Sequence, residues 1–436
     1  MSTPSSTAAP ARARLPALVA LQNRDFRFIW SVNCLWQTAA GIETTVLGWL
    51  VLEMTDSAWA VALVGFFRWL PMLVLGMLSG VLADRVNRQR VLVATQLCNL
   101  TVAAGVLALV LTDMLQPGFI YLGSLIMGMA WTLDFPSRRS YVSVLLGPKL
   151  LAMGVALESM GFMMAKMLGP AIGGSLFDLG GGPLAYGVLT AIYVVTVQLV
   201  LRVRPEGKRP PTSSSIARSL SEGIAYVRHK PLIIGVLAAT FVLNLLVFPY
   251  MQLLPVMARD VLGIGPALMG LLAAADGLGS LCVILIVTTR REVRRHALLF
   301  TIGCIGLLLG LLGFSLSRWY PLSFASLLLL GFGSGLFGPM QASTILLDSS
   351  PQMRGRAIGL LTLCIGGMPL GALLMGALAR QYSAPTAMLI TSTSGLIAMV
   401  AIIVFNRLPW RLPTEIAPPP PPPEPAAAKL RTEASG

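Results

Sequence analysis

The sequence predicts an all-α membrane protein of twelve transmembrane helices in two pseudo-symmetric bundles of six. Of its 436 residues, 55% are hydrophobic and 11% are charged, whereas soluble domains carry about 25% charged residues. Apolar runs of about 20 residues, the length that crosses a bilayer as a helix, recur along nearly the whole chain. Basic residues are concentrated in every second connecting segment, as expected when consecutive helices cross in opposite directions.

The twelve spans follow from the positions of these apolar runs. They are predicted at residues 28–52, 58–82, 91–112, 117–135, 150–177, 183–203, 232–256, 266–289, 296–316, 320–346, 355–379 and 385–406. A long polar stretch separates spans 6 and 7 and contains, at residues 219–228, apolar residues at the spacing of a short amphipathic helix on the inner leaflet. The chain then divides into a cytoplasmic N-terminal tail (1–26), a first half of six helices (27–203), a cytoplasmic central loop (204–230), a second half of six helices (231–407) and a disordered Pro-rich cytoplasmic tail (408–436).

The basic residues also predict the orientation of the chain. Segments after even-numbered spans hold 19 Lys and Arg residues, and segments after odd-numbered spans hold three. The positive-inside rule therefore places both termini in the cytoplasm, and we expect the chain to lie in a bacterial inner membrane. A net charge of +14 does not predict a nucleic-acid partner, because the basic residues are spread singly between apolar runs. The expected partners are a small-molecule substrate and membrane lipids, with the chain acting as a monomer.

The segment between spans 2 and 3 carries a glycine and an aspartate in register before several arginines. Its key residues are Gly80, Asp84, Arg85, Arg88 and Arg90. A glycine lets two helices approach closely, and a carboxylate accepts hydrogen bonds from the first amides of a neighbouring helix. A simple turn with cytoplasmic charges would explain the arginines, but it would not explain the glycine and the aspartate that precede them.

This segment resembles the loop 2–3 signature of the major facilitator superfamily. The resemblance implies twelve spans in two halves, a substrate site at the midplane between them, and a gating role for the loop. Asn87 stands where the signature usually has glycine, and asparagine also tolerates a left-handed turn.

Span 5 carries small residues at every fourth position, followed by a Gly-Pro-x-x-Gly-Gly ending. The residues are Gly161, Ala165, Gly169, Pro170, Gly173 and Gly174. Such a ridge predicts close helix packing, and the ending resembles the span 5 motif of proton-coupled exporters in the superfamily. Residues 134–139 and 348–356 are similar to its drug and siderophore exporter branch.

Four ionisable residues lie inside the spans, where charge is costly and usually marks function or a structural pair. They are Glu43, Arg68, Lys166 and Asp276. At about 1.5 Å rise per residue, each lies about 15 Å from the outer end of its span, so all four share one layer near the midplane. The expected pairs are Glu43–Arg68 and Lys166–Asp276. One hypothesis is that Glu43 or Asp276 exchanges the coupling proton, and Glu43 is the preferred carrier. The alternative hypothesis is that both pairs are static and only hold the helices in register.

Three further carboxyl groups, of Asp134, Glu158 and Asp348, lie nearer the cytoplasmic side. Asp134 is four residues before Arg138, which predicts a local pair on one helix. The cavity is predicted to be largely apolar and aromatic, and its candidate lining residues are Trp30, Asn33, Trp36, Gln37, Phe135, Asn244, Tyr250 and Gln341.

We expect no enzyme activity, catalytic residue, metal or cofactor, with a proton gradient as the energy source. The string Gly333-Ser334-Gly335-Leu336-Phe337-Gly338 fits a dinucleotide-binding pattern but lies inside an apolar helix with no preceding strand. The expected function is secondary active, proton-coupled efflux of a small amphipathic molecule (a drug, siderophore or other metabolite) by alternating access. The alternatives are uptake or lipid flipping by the same fold, or a membrane sensor or scaffold that transports nothing.

Overall fold

The computed structural model describes residues 19–85, 87–204, 216–288, 295–406 and 408, excluding the side chains of 77–85, 148, 149, 152, 216–220 and 288. The described residues form helices and no strand, which confirms the all-helical prediction. The helices are Arg24–Thr55, Ala58–Arg85, Arg88–Leu111, Pro117–Leu201, Ile216–Val227, Pro231–Leu246, Tyr250–Val256, a π-helical turn Met257–Val261, Pro266–Thr288, His296–Leu316, Tyr320–Asp348, Arg354–Ile365, Met368–Gln381 and Ala384–Asn406. Within this part of the chain, ten stretches are long and apolar enough to cross a membrane. The count of twelve crossings stays a prediction.

The helix Pro117–Leu201 contains three predicted spans. Its 85 residues would extend about 130 Å as one straight helix, about four times the thickness of the hydrocarbon core. The backbone leaves helical geometry at Gly147 (φ 64°) and at Gly180 and Gly181 (φ 61°). Glycine adopts such positive φ values without a steric penalty. These breaks divide the run into span 4 (117–146), span 5 (148–179) and span 6 (182–201).

Two spans of the second half are interrupted near their middles. Span 7 is helical over Pro231–Leu246 and resumes at Tyr250–Val256. Span 11 is helical over Arg354–Ile365 and Met368–Gln381, with Gly366 and Gly367 between them. The break in span 11 therefore falls at two consecutive glycines, two residues before Pro369.

Polar side chains define the ends of the first spans. The Asn23 side chain accepts hydrogen bonds from the Asp25 and Phe26 amides at 3.0 and 3.1 Å, so span 1 begins with an N-cap. Asn87 has φ −60° and does not adopt the left-handed turn that the sequence interpretation allowed. Its side chain instead accepts a hydrogen bond from the Arg90 amide and caps span 3.

Several predictions concern parts of the chain about which the structure gives no side-chain information. The side chains of Asp84 and Arg85 and the packing around Gly80 lie outside the described residues, as do the N-terminal tail through residue 18, the basic segment 289–294 and the Pro-rich tail from residue 409. The gating role of the loop between spans 2 and 3 stays a prediction.

The central-loop helix Ile216–Val227 contacts the segment that follows span 10. Glu222 forms an ion pair with Arg356, and the Tyr226 hydroxyl accepts a hydrogen bond from the Ser350 amide at 3.0 Å. The helix that joins the two halves is therefore attached to the second half.

Candidate functional site

A cavity of about 220 Å³ lies between the two halves of the chain. Its walls come from spans 1, 2, 4 and 5 of the first half and from spans 7, 8 and 11 of the second. All four ionisable residues of the predicted midplane layer line it: Glu43, Arg68, Lys166 and Asp276. The structure therefore brings these four side chains together around one space.

The first ion pair joins spans 1 and 2. Arg68 Nη1 lies 3.0 Å from Glu43 Oε2, and the side chains are 16% and 2% exposed. Arg68 Nη1 also lies 3.6 Å from Met127 Sδ of span 4. Both partners belong to the first half, so this pair braces the interior of one half.

The second ion pair joins the two halves. Lys166 Nζ of span 5 lies 2.8 Å from Asp276 Oδ1 of span 8 and donates to Ser334 Oγ of span 10 at 3.0 Å. The Tyr250 hydroxyl of span 7 donates to Asp276 Oδ2 at 3.1 Å. Asp276 thus accepts hydrogen bonds at both carboxylate oxygens, as a buried carboxylate requires. Both pairs expected from the sequence are present.

The remaining wall of the cavity is mostly apolar, with four aromatic rings and a few amide and hydroxyl groups. Its aromatic members are Trp69, Trp131, Phe162 and Phe248, and its uncharged polar members include Gln37, Ser124 and Gln252. Apolar rings with a few fixed polar groups are typical of small-molecule sites. Such sites usually measure about 300–1,000 Å³, so this cavity accommodates a small molecule or one part of a larger one.

Of the eight lining residues proposed from sequence, Gln37 lines this cavity. The ring of Trp36 packs against that of Trp131 at 4.7 Å, one layer behind the wall. Tyr250 contacts the cavity only through Asp276. The others lie elsewhere: Trp30 Nε1 donates to Leu157 O, Asn33 is buried, Phe135 is exposed beneath Arg139, and Asn244 and Gln341 both bond to Thr240.

A second buried charge cluster lies in the first half, away from the cavity. Arg138 Nη2 lies 2.6 Å from Asp134 Oδ1, which confirms the predicted local pair. Thr95 Oγ1 and Gln96 Nε2 donate to Asp134 Oδ2 at 2.9 and 3.2 Å. Asp134 is fully buried and accepts hydrogen bonds at both oxygens, so the charge of this carboxylate is compensated within the cluster. Arg138 Nη1 and Gln96 Oε1 have no hydrogen-bond partner among the described residues.

The small residues of span 5 place it in close contact with both halves. A Cβ atom on Gly169 would lie 2.9 Å from Gly41 Cα, and one on Gly173 would lie 2.9 Å from Ile42 Cα, both in span 1. On the opposite side, a Cβ on Gly174 would lie 3.0 Å from Gly270 Cα in span 8. The ridge therefore packs backbone against backbone, with span 1 inside the first half and with span 8 across the two halves.

Contacts between the halves close the end of the cavity nearest the turn between spans 1 and 2. Arg259, at the end of span 7, forms an ion pair with Asp56 and donates to Leu52 O at 3.3 Å. Nearer the cavity along the same two spans, Gly48 packs against Pro255. A Cβ atom on Gly48 would lie 2.8 Å from Pro255 Cγ. At the other end, the cavity-lining ring of Phe162 is 38% exposed.

Solved structures that resemble this fold are transporters. A bacterial homologue of the human lysosomal transporter Spinster, in an inward-facing and unoccupied conformation, superposes with a TM-score of 0.67 at 14% identity, covering 91% of this chain and 98% of that one. A peptide transporter in complex with sulfate gives a TM-score of 0.71 at 11% identity, covering 92% of this chain and 100% of that one. At these identities the likeness establishes the major facilitator fold.

Curated relatives by sequence are exporters. The enterobactin exporter EntS of Shigella flexneri is 28% identical over 384 residues, which cover 87% of this chain and 90% of that protein. EntS of Escherichia coli is 26% identical over 383 residues, covering 87% and 91%. A family profile described as transmembrane secretion effector matches residues 16–436. This multi-pass membrane protein therefore belongs to the transmembrane secretion effector family of major facilitator transporters.

Proposed function

We propose that this chain is a proton-coupled exporter of a small amphipathic molecule across the bacterial inner membrane, working by alternating access with both termini in the cytoplasm. The observation that carries the proposal is the Lys166–Asp276 pair, which lies in the cavity wall and joins the two halves. Kinship with enterobactin exporters supports the outward direction.

The ion pair suggests how a proton would be linked to movement of the halves. Protonation of Asp276 removes its negative charge and leaves Lys166 without a counter-ion, so the attraction between spans 5 and 8 weakens. A proton bound there would favour separation of the halves at this point. Glu43 is the second candidate carrier, but its partner Arg68 belongs to the same half, so its protonation loosens no contact between halves.

The structure corresponds, in this proposal, to the inward-facing state. The positive-inside rule places the turn between spans 1 and 2 outside, and that end is closed by the Arg259–Asp56 pair and the Gly48–Pro255 contact. In this state an exporter takes up substrate from the cytoplasm. The molecule named for its relatives, enterobactin, is the first substrate to test.

The experiment uses purified protein in liposomes with an imposed pH gradient and radiolabelled enterobactin. An exporter inserted inside out accumulates the label in the lumen when the lumen is acidic, and an ionophore that collapses the gradient abolishes accumulation. Asp276→Asn is expected to move label down its concentration gradient without accumulating it. Accumulation that ignores the pH gradient would reject proton coupling, and accumulation in the opposite direction would identify an uptake permease.

A further inference from the structure

Glu158 of span 5 is a buried carboxyl group outside the four-residue charge layer. The residue is 8% exposed, and its Oε1 atom has no hydrogen-bond partner among the described residues. Three other buried carboxyl groups, those of Glu43, Asp134 and Asp276, each have a cation within 3.0 Å. Among these four groups, Glu158 is the one without an ion pair in the described part of the chain.

The position of Glu158 connects it with the cavity. It lies four residues before Phe162 and eight before Lys166, both of which line the cavity, and residues at this spacing share one face of a helix. The rise of a helix places it about 12 Å from Lys166 along the span axis. By the positive-inside orientation, that displacement is toward the cytoplasm.

The groups around Glu158 come from spans 4 and 1. Span 4 contributes Asp134, Arg138 and Arg139, whose charges act on Glu158, and span 1 contributes Cys34. Arg138 is already paired with Asp134. Arg139 is exposed and lies over the ring of Phe135 at 4.7 Å. Neither arginine forms an ion pair with Glu158 among the described residues, although both act on it at longer range.

A buried carboxylate without a partner is costly, whereas its neutral form is much less so. The group therefore has reason to bind a proton. At 8% exposure the carboxyl group lies inside the protein, and a proton is the smallest cation that can reach it. Burial thus selects a proton over a larger cation.

We propose that Glu158 is a proton-binding residue of the transport cycle, located between the midplane charge layer and the cytoplasm. It rests on the proton coupling proposed above. In the inward-facing state, Glu158 accepts through cavity water the proton that Asp276 releases, and it then gives this proton to cytoplasmic water. Each transfer forms and breaks one O–H bond and requires no other reactant.

The test is infrared difference spectroscopy of the purified protein between about pH 8 and about pH 6, where exposed carboxylates stay charged. Wild type is expected to gain the C=O stretching band of a protonated carboxyl group, and Glu158→Gln is expected to lose it. The matched control is Glu53→Gln. Glu53 is an exposed glutamate at the end of span 1 that leads into span 2, and it accepts a hydrogen bond from Trp49. That variant keeps the band.

A band of unchanged size in Glu158→Gln would overturn the proposal. Thermal unfolding in detergent shows whether that variant folds. If it does not, Glu158→Asp replaces it and is expected to shift the pH midpoint of the band, whereas an unshifted midpoint overturns the assignment. Because the measurement uses no substrate, it separates this proposal from proton-coupled export. Loss of the band without gradient-driven accumulation in wild type would retain Glu158 as a proton site and reject the coupling.

Discussion

Lys166 Nζ of span 5 lies 2.8 Å from Asp276 Oδ1 of span 8, and this ion pair bridges the two halves inside the cavity wall. Close approach of the backbones makes the pair possible, because a Cβ on Gly277 would lie 2.6 Å from Met167 N. The exporter-like ridge of span 5 and the midplane charges are therefore parts of one interface.

Loss of one member of this pair should destabilise the protein. Asp276→Asn leaves the Lys166 ammonium buried without a counter-ion, at a cost of about 3–5 kcal/mol. The expected result is a lower midpoint of thermal unfolding in detergent. The double variant Asp276→Asn/Lys166→Gln removes both charges and should recover most of the loss. Equal midpoints for wild type and the single variant would contradict the role given to the pair.

The seam between spans 1 and 5 should not tolerate an added methyl group. In Gly169→Ala the new Cβ would lie 2.9 Å from both Gly41 Cα and Thr38 O, and overpacking of this kind costs about 1–3 kcal/mol. Gly187→Ala in span 6 is the matched control, since nothing lies within 4 Å of its Cβ position. Thermal unfolding should separate the two variants, and a Gly169→Ala protein as stable as Gly187→Ala would refute the close packing.

The ion pair at the closed end should bias the protein toward the state observed here. Arg259→Gln removes the bonds to Asp56 and Leu52 and should expose the cavity more often to the outside. Thr45→Cys, in a background without native cysteines, reports this opening because Thr45 lines the cavity. Its labelling by an impermeant maleimide should accelerate about two- to fivefold, as expected from loss of a surface ion pair.

The control for this experiment is Arg318→Gln. Arg318 Nη1 donates to the Ser315 and Ser317 carbonyls of its own segment, so its removal should leave the labelling rate unchanged. If both arginine variants accelerate labelling equally, the effect comes from surface charge in general and not from a latch between spans 1 and 7.

The aromatic wall should contribute to substrate affinity. Trp131 lines the cavity, whereas Trp30 does not and instead donates to Leu157 O. Trp131→Leu is expected to raise the KM for enterobactin about two- to tenfold, the effect of losing one aromatic contact, while Trp30→Leu should leave KM unchanged. Equal KM values for the two variants would show that the cavity wall is assigned incorrectly.

The charge layer could be predicted from sequence because the depth of a residue follows from its distance along the helix. Span boundaries and the rise per residue place Glu43 and Arg68, and likewise Lys166 and Asp276, at the same depth. Charges at one depth in a low-dielectric interior then pair with each other. The breaks at Gly147 and Gly181 follow similarly, because a run far longer than the bilayer must turn where glycine permits it.

The cavity wall could not be predicted in the same way. Lipid is as apolar as a protein interior, so hydrophobicity does not distinguish the face of a span that meets lipid from the face that meets the cavity. Trp30 and Trp131 are both tryptophans within predicted spans, yet of the two only Trp131 lines the cavity. The lack of a partner for Glu158 depends on how its neighbours pair, which only the folded chain determines.

The most direct test of the central claim is whether substrate movement drives protons in the opposite direction. Purified protein in liposomes that enclose a pH-sensitive dye, with no initial pH gradient, receives a pulse of enterobactin outside. Proton-coupled exchange predicts that the lumen becomes alkaline as enterobactin enters and protons leave, and that Asp276→Asn abolishes this change. Entry of enterobactin with no change in luminal pH, in wild type, would contradict the account.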